Sequence, residues 1–259
     1  MGLFNNKKKN NNTAFAATEV QKTLHRNLKF LASEQYRLLR ANIRFTIPSD
    51  VKCPVIGVTS SVRGEGKSTT AVNLSYVLAS KGHKVLLIDG DLRIPSIAKK
   101  MGVNSTPGLT DLLIGSSADI ASWKSDVHKN WYVLPSGEIP PNPSELLGSK
   151  RMENVLNALR EHFDYIVIDL PPVNVVSDAM SVSGFLTGAI IVVREGFTSK
   201  RDLDRCMRQI SLSDINVLGY VMNESGDGNG SYKKYGKYEK YRYYRYHSSK
   251  PVEKEEFNL

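Results

Sequence analysis

Six short apolar runs recur along the chain with helix-length segments between them, and this alternation constrains the fold more than any other feature. They are CPVIGVTSS from Cys53, GHKVLLIDGD from Gly82, WYVLPSG from Trp131, FDYIVIDLPP from Phe163, GAIIVVREG from Gly188 and NVLGYVMNES from Asn216. A strand that is apolar on both faces must be covered on both faces. The runs therefore predict an α/β chain, a mostly parallel sheet with helices on either side. Helices are expected at about 67–80, 144–163 and 199–211. Upstream, Leu24, Leu28, Leu31, Leu38, Leu39 and Ile43 recur at helical spacing, which predicts an amphipathic segment from Glu19 to about Phe45, ended by Pro48. The expected division is a disordered basic N-terminus over 1–17, a domain over 18–225 that includes the helical segment, and a flexible tail over 226–259.

Composition removes several classes. With 41% apolar residues in 259, a sizeable core is within reach. No apolar run approaches the length of a membrane span, and MGLFNNKKKNNN has no apolar stretch behind its charges. Gly2 lacks the Ser or Thr that myristoylation wants, since Asn6 stands there. A soluble, cytoplasmic chain is expected. Cys53 and Cys206, like the scattered histidines, show no metal-ligand spacing and read as reduced, buried thiols.

The chemistry begins where the first strand meets its helix. Gly64-Glu65-Gly66-Lys67-Ser68-Thr69 has the tail of a P-loop, in which glycines turn backbone N–H groups toward phosphate at a helix N-terminus. Lys67 would reach the β- and γ-phosphates and Ser68 would ligate Mg²⁺. The strict pattern has Gly where Ser61 stands. Two further strands end in acids: Asp89, with Asp91 and Arg93 just beyond, and Asp169. Carboxylates at the C-terminal ends of parallel strands lie on the ligand side, and a bound cation offsets the cost of burying them. Capping of a following helix accounts for one such acid more readily than for three.

These stretches resemble bacterial tyrosine kinases. VLLIDGDLR resembles their second, A′-type nucleotide motif, and YIVIDLPP resembles their Walker B motif. The likeness extends to SEQYRLLRANIRF, to PSGEIPPNPSELLGSKRM and to the tyrosine-rich tail, roughly residues 30 to 246, in the stand-alone cytoplasmic form associated with capsule and exopolysaccharide synthesis. The family usually has Pro where Arg63 stands. The resemblance implies an ATP-dependent protein-tyrosine kinase with Mg²⁺. Ser68, Asp89, Asp91 and Asp169 form the metal-binding set, within which Asp89 is the general base toward a phenol. Gly64, Glu65, Gly66, Lys67, Ser68, Thr69, Arg93 and Asn223 bind nucleotide, with Asn223 at the adenine; Arg93 has an ion pair with Asp91 as its simpler role. Glu34, Arg37 and Arg40 meet a neighbouring subunit in a ring such as an octamer, the alternative being ion pairs along one helix. The implied partners are the cytoplasmic segment of a membrane adaptor of the polysaccharide co-polymerase type and a cognate tyrosine phosphatase. The adaptor would recruit the chain to the inner face of the membrane, and no nucleic acid is expected.

The tail gives the resemblance a target. Tyr232, Tyr235, Tyr238, Tyr241, Tyr243, Tyr244 and Tyr246 stand among Lys233, Lys234, Lys237, Lys240, Arg242 and Arg245, in a chain of net charge +9. As kinase substrate, each phenol would gain about −1.5 to −2 charges. Two other readings stay open at this level. A partition or cell-division ATPase of the same superfamily would carry a signature lysine where Val62 stands. A nucleotide-gated module would use the basic tail on nucleic acid.

Overall fold

The computed structural model describes residue 24 and residues 27–116 and 119–224. Its centre is one six-stranded parallel sheet: β1 (Val55–Ser60), β2 (Val85–Asp89), β3 (Trp131–Leu134), β4 (Tyr165–Asp169), β5 (Gly188–Arg194) and β6 (Val217–Asn223), in the spatial order β3-β2-β4-β1-β5-β6. All six predicted strands are present. The chain first runs outward from β1 through β2 to β3. It then returns to insert β4 beside β1 and continues through β5 and β6 on the other side. That reversal puts the end of β1 at the crevice where such sheets bind ligands.

The period of two along the strands sends alternate residues to two cores. Val85, Leu87, Val167, Ile190 and Val192 pack on one face against α1 (Phe30–Thr46), α2 (Lys67–Ala79) and α3 (Ile97–Met101). Leu86, Ile88, Ile166, Ile168 and Ile191 pack on the other against α4 (Leu109–Ile114), α5 (Pro143–Leu147), α6 (Lys150–Arg160), α7 (Asp178–Ser181) and α8 (Lys200–Leu212). Cys53 and Cys206 are buried free thiols, and burial pushes their pKa up to about 11 and about 12.

Two expectations about helices need correction, and further short helices left no signal. Among the described residues the N-terminal helix starts at Phe30: Lys29 has an extended ψ of 149° and Asn27 to Lys29 lie outside it, while Leu24 is buried in the core. The helix expected over 144–163 is two, α5 and α6. The chain breaks at Gly148, and the Ser149 hydroxyl restarts the helix by accepting the N–H of Met152 at 3.2 Å. Finally, α3 and α4 have five and six residues, too short to leave a periodic signal in the sequence. Residues 1–23 and 225–259, which hold the expected basic N-terminus and the tyrosine cluster, lie outside the described residues.

Candidate active site

β1 ends at Ser60, and the chain turns through 61–66 into α2. Gly64 and Gly66 take φ of +85° and +98°, the left-handed region that glycine occupies without strain. A Cβ on Gly66 would also lie 2.1 Å from the side-chain nitrogen of Asn223. The loop is fastened from behind. Glu65 is fully buried, and its carboxylate accepts the Ser61 hydroxyl at 2.9 and 3.0 Å, the Val62 N–H at 2.8 Å and the hydroxyl of Thr198. Arg194 donates to the Gly64 carbonyl at 3.3 Å and Asn223 to the Glu65 carbonyl at 2.9 Å. With the loop carbonyls drawn toward β5 and β6, the N–H groups of Gly64, Glu65 and Gly66 make no hydrogen bond among the described residues. They are available to an anion at the N-terminus of α2.

This arrangement accounts for Ser61, the departure from the strict loop pattern. Its hydroxyl serves the buried Glu65 carboxylate, which a glycine cannot do. It also redefines Glu65, whose side chain holds the loop and whose backbone alone remains for phosphate.

Strand register assembles the acids. Asp89 stands opposite Asp169, and Asp169 opposite Val58, so β2 and β4 deliver two carboxylates beside the loop. Lys67 joins them: its Nζ is 2.9 Å from Asp91 Oδ2, 3.3 Å from Asp169 Oδ1 and 3.4 Å from the Ser68 hydroxyl. Burial works against the Lys67 ammonium, yet Asp169 and Asp91 outweigh it and raise its pKa. Asp169 is fully buried; desolvation raises its pKa, opposed by Lys67 and the Ser68 hydroxyl. Its second oxygen, Oδ2, has no hydrogen-bond partner among the described residues.

Asp89 is placed differently. Its Oδ2 accepts the N–H of Ser96 at 3.0 Å and of Ile97 at 2.9 Å, capping α3, while among the described residues Oδ1 takes only the N–H of Asp91, at 3.3 Å. Burial, then the charge of Asp169, pushes its pKa up to about 7. The capping role that sequence reasoning allowed to one acid falls to this one, and Oδ1 keeps acceptor capacity. Asp91 uses Oδ1 on the Ile94 N–H at 3.1 Å and Oδ2 on Lys67.

The site fits the groups that the loop implies. An orphaned buried carboxylate oxygen, the adjacent Ser68 hydroxyl and Asp91 are the hard oxygen donors that Mg²⁺ prefers. The glycine cradle with its unused N–H groups suits a polyphosphate.

Arg93 does not pair with Asp91. Its guanidinium forks onto Asp178 at 2.8 and 3.0 Å and reaches the Ser144 hydroxyl at 3.3 Å. Asp178 is fully buried and also accepts the Ser144 hydroxyl, so Arg93 ties the β2 loop to α5 and α7. Nothing in SDAM marked Asp178 in advance, and Thr198 was equally silent. Lys100 on α3, also unremarked in the sequence, brings its Nζ to 3.4 Å from the Thr69 hydroxyl.

On α1 the three residues expected at a subunit contact separate. Glu34 and Arg37 form an exposed ion pair one turn apart, while Arg40 turns inward to donate to the Val77 carbonyl of α2 at 2.9 Å.

Residues 53–212 match the AAA domain family. The chain is 38% identical over 166 residues to the tyrosine-protein kinase YwqD of Bacillus subtilis (strain 168), covering 64% of this chain and 70% of that one. It is 38% identical over 178 residues to the tyrosine-protein kinase CpsD of Streptococcus pneumoniae serotype 4, covering 67% and 77%. The chain belongs to the bacterial tyrosine kinases. Among solved structures, the chimerical protein CapA2B2 resembles this kinase with a TM-score of 0.72 at 35% identity, covering 79% of this chain and 89% of that one. The septum site-determining protein MinD of Pyrococcus horikoshii OT3, solved with Mg-ADP, shares the kinase's P-loop NTPase-like fold at TM-score 0.56 and 26% identity, over 68% and 72% of the two chains.

Proposed function

We propose that this tyrosine kinase transfers the γ-phosphoryl group of ATP to the phenols of its own C-terminal cluster, Tyr232 to Tyr246, between chains of a ring-shaped homo-oligomer, and thereby regulates capsular or extracellular polysaccharide synthesis. The observation that carries the reading is the convergence of Lys67, Asp89, Asp91 and Asp169 at the mouth of a glycine loop whose N–H groups are unused among the described residues.

Each group has a role that its surroundings support. The loop N–H groups and Lys67 hold the phosphates in line with the incoming phenol, and phosphoryl transfer needs mainly such positioning and charge neutralisation. Mg²⁺, held by Ser68, Asp91 and Asp169, supplies that neutralisation when bound. Asp89 accepts the phenolic proton. Its pKa of about 7 matches a base working near neutral pH, and Oδ1 is the oxygen left for the task. The bond between the phenolic oxygen and γ-phosphorus forms as the bond from γ-phosphorus to the bridging oxygen breaks, leaving ADP and a protonated Asp89.

Leu38 and Phe45, exposed on α1 at 55% and 88%, lie on the helix that carries the Glu34–Arg37 pair and favour a subunit contact there. The cytoplasmic segment of a membrane adaptor recruits the kinase to the membrane and raises its activity, and a cognate phosphatase reverses it. Several added phosphates invert the charge of the basic tail and weaken the ring.

The test is incubation of the purified chain with Mg-ATP, with and without the adaptor segment, followed by intact-mass and peptide mass spectrometry. A ladder of phosphates confined to Tyr232–Tyr246, absent in Lys67→Met and Asp89→Asn, is the expected result. Steady ATP hydrolysis with no phosphotyrosine under either condition would sink the reading and favour a partition-type ATPase.

A further inference from the structure

The charges around the loop do not balance in the way the motifs alone suggest. Lys67, the lysine of the loop, already has two carboxylates within 3.3 Å. A second lysine faces the same helix turn. Lys100 lies on α3, whose first N–H groups Asp89 caps and whose Ile97 and Ala98 are buried. This anchoring aims Lys100 at the first turn of α2, where its Nζ is 3.4 Å from the Thr69 hydroxyl. Thr69 is the residue after Ser68, on the turn that opens on the phosphate loop. Among the described residues, no carboxylate lies within ion-pair distance of Lys100.

A half-buried ammonium facing a neutral hydroxyl has given up hydration without gaining a counter-charge. Its surroundings act accordingly. Burial weighs most against its charged form; Asp169 opposes it without restoring the balance, and the positive charges of Lys67 and Lys99 add to the effect of burial. The neighbouring Lys99 is exposed and has none of this confinement. What Lys100 lacks is an anion, and the place that lacks it adjoins the turn where backbone N–H groups also wait for one.

We propose that Lys100 is a second cation for the phosphate chain of the nucleotide, a binding residue outside the loop that α3 carries to the first turn of α2. The inference rests on the reading that this site binds ATP. It adds that part of the nucleotide affinity comes from the short helix after β2, the helix whose start Asp89 holds. Nucleotide binding and the seating of Asp89 are thereby coupled, since α3 bears on both. The coupling runs both ways: a nucleotide that draws Lys100 inward also tightens the N–H groups of Ser96 and Ile97 onto Asp89.

The experiment is calorimetric titration of the full chain with Mg-ADP and with a non-hydrolysable Mg-ATP analogue, for wild type, Lys100→Met and Lys100→Arg, with a thermal melt of each nucleotide-free protein. Loss of one charge-assisted contact should raise Kd about tenfold or more in Lys100→Met, and Lys100→Arg should stay within about threefold. The nucleotide-free Lys100→Met protein should melt at or above the wild-type temperature, because an uncompensated ammonium has been removed. A lysine with a merely structural role gives the opposite pair, a lower melting temperature with Kd unchanged. Kd values for both nucleotides within about twofold of wild type in Lys100→Met would overturn the inference. If Lys100→Met does not fold, Lys100→Gln is read by the same criteria. Failure of the wild type itself to bind either nucleotide would instead defeat the underlying assignment of the site, and the two failures are distinct.

Discussion

The side-chain amide of Asn223, at the end of the last strand, donates to the backbone carbonyl of Glu65 in the phosphate loop at 2.9 Å, across 158 positions of sequence. The resemblance places Asn223 at the adenine base, and in the fold its amide braces the loop as well. Asn223→Ala should raise the Kd for Mg-ADP about fivefold, the equivalent of one hydrogen bond of about 1 kcal/mol, with an unchanged circular dichroism spectrum. Gly66→Ala should abolish binding, because its methyl would occupy the position of that amide at a backbone φ of +98°. Calorimetry on both variants checks the pair.

Glu65 is a buried carboxylate held by hydroxyl and N–H donors, with no cation in contact among the described residues. Thr198→Val removes one donor and also the acceptor of the Arg194 N–H, a bond of 2.9 Å. Loss of hydrogen bonds to a buried charge should lower stability by about 2 kcal/mol, measured by urea unfolding. Ser61→Gly, which restores the strict loop pattern, should destabilise the protein by a similar amount and should not tighten nucleotide binding.

The raised pKa of Asp89 makes a signed prediction. With a folded pKa of about 7 against an ordinary 3.8, the folded state holds a proton between those values that the unfolded state releases. This acid therefore favours folding at low pH. The advantage is lost as pH rises toward about 7, at no more than about 1.4 kcal/mol per pH unit. Asp89→Asn removes the dependence. In metal-free buffer, the stability of the variant relative to wild type should climb between pH 4 and pH 7 and then level off, by urea unfolding across that range. A flat difference would show that Asp89 is ionised throughout.

Arg37 and Arg40 should part company on substitution. Arg37 is exposed and, among the described residues, bonded only to Glu34, a pair on the surface of one helix, so Arg37→Glu should leave the melting temperature within about 2 °C and disperse any ring in multi-angle light scattering. Arg40 pins α1 to the Val77 carbonyl, and Arg40→Ala should loosen that helix and lower stability by about 1 kcal/mol. Assembly lost only with Arg40 would make the oligomer effect an indirect one.

Periodicity alone determined the sheet. Near-continuous apolar runs such as VLLID and YIVID can be satisfied only between two covering layers, and each became a parallel strand. The glycine-lysine-serine loop and the strand-end acids Asp89 and Asp169 were legible for the same reason. They are local chemistry at fixed places on elements that the pattern already defined. The tertiary structure decided which partner each side chain met. Arg93 was nearest in sequence to Asp91, yet bonds to Asp178, because the β2 loop runs past α7 in the fold. Glu65 looked like a loop residue facing phosphate and became an anchor, because the turn after β5 brings Thr198 beside it. Lys100 carried no signal in IAKKM, since a five-residue helix has no period to read. Sequence spacing fixes where a strand or turn must be. Contacts between residues a hundred positions apart depend on the order in which strands insert into the sheet, and that order is set by the packing of both layers at once.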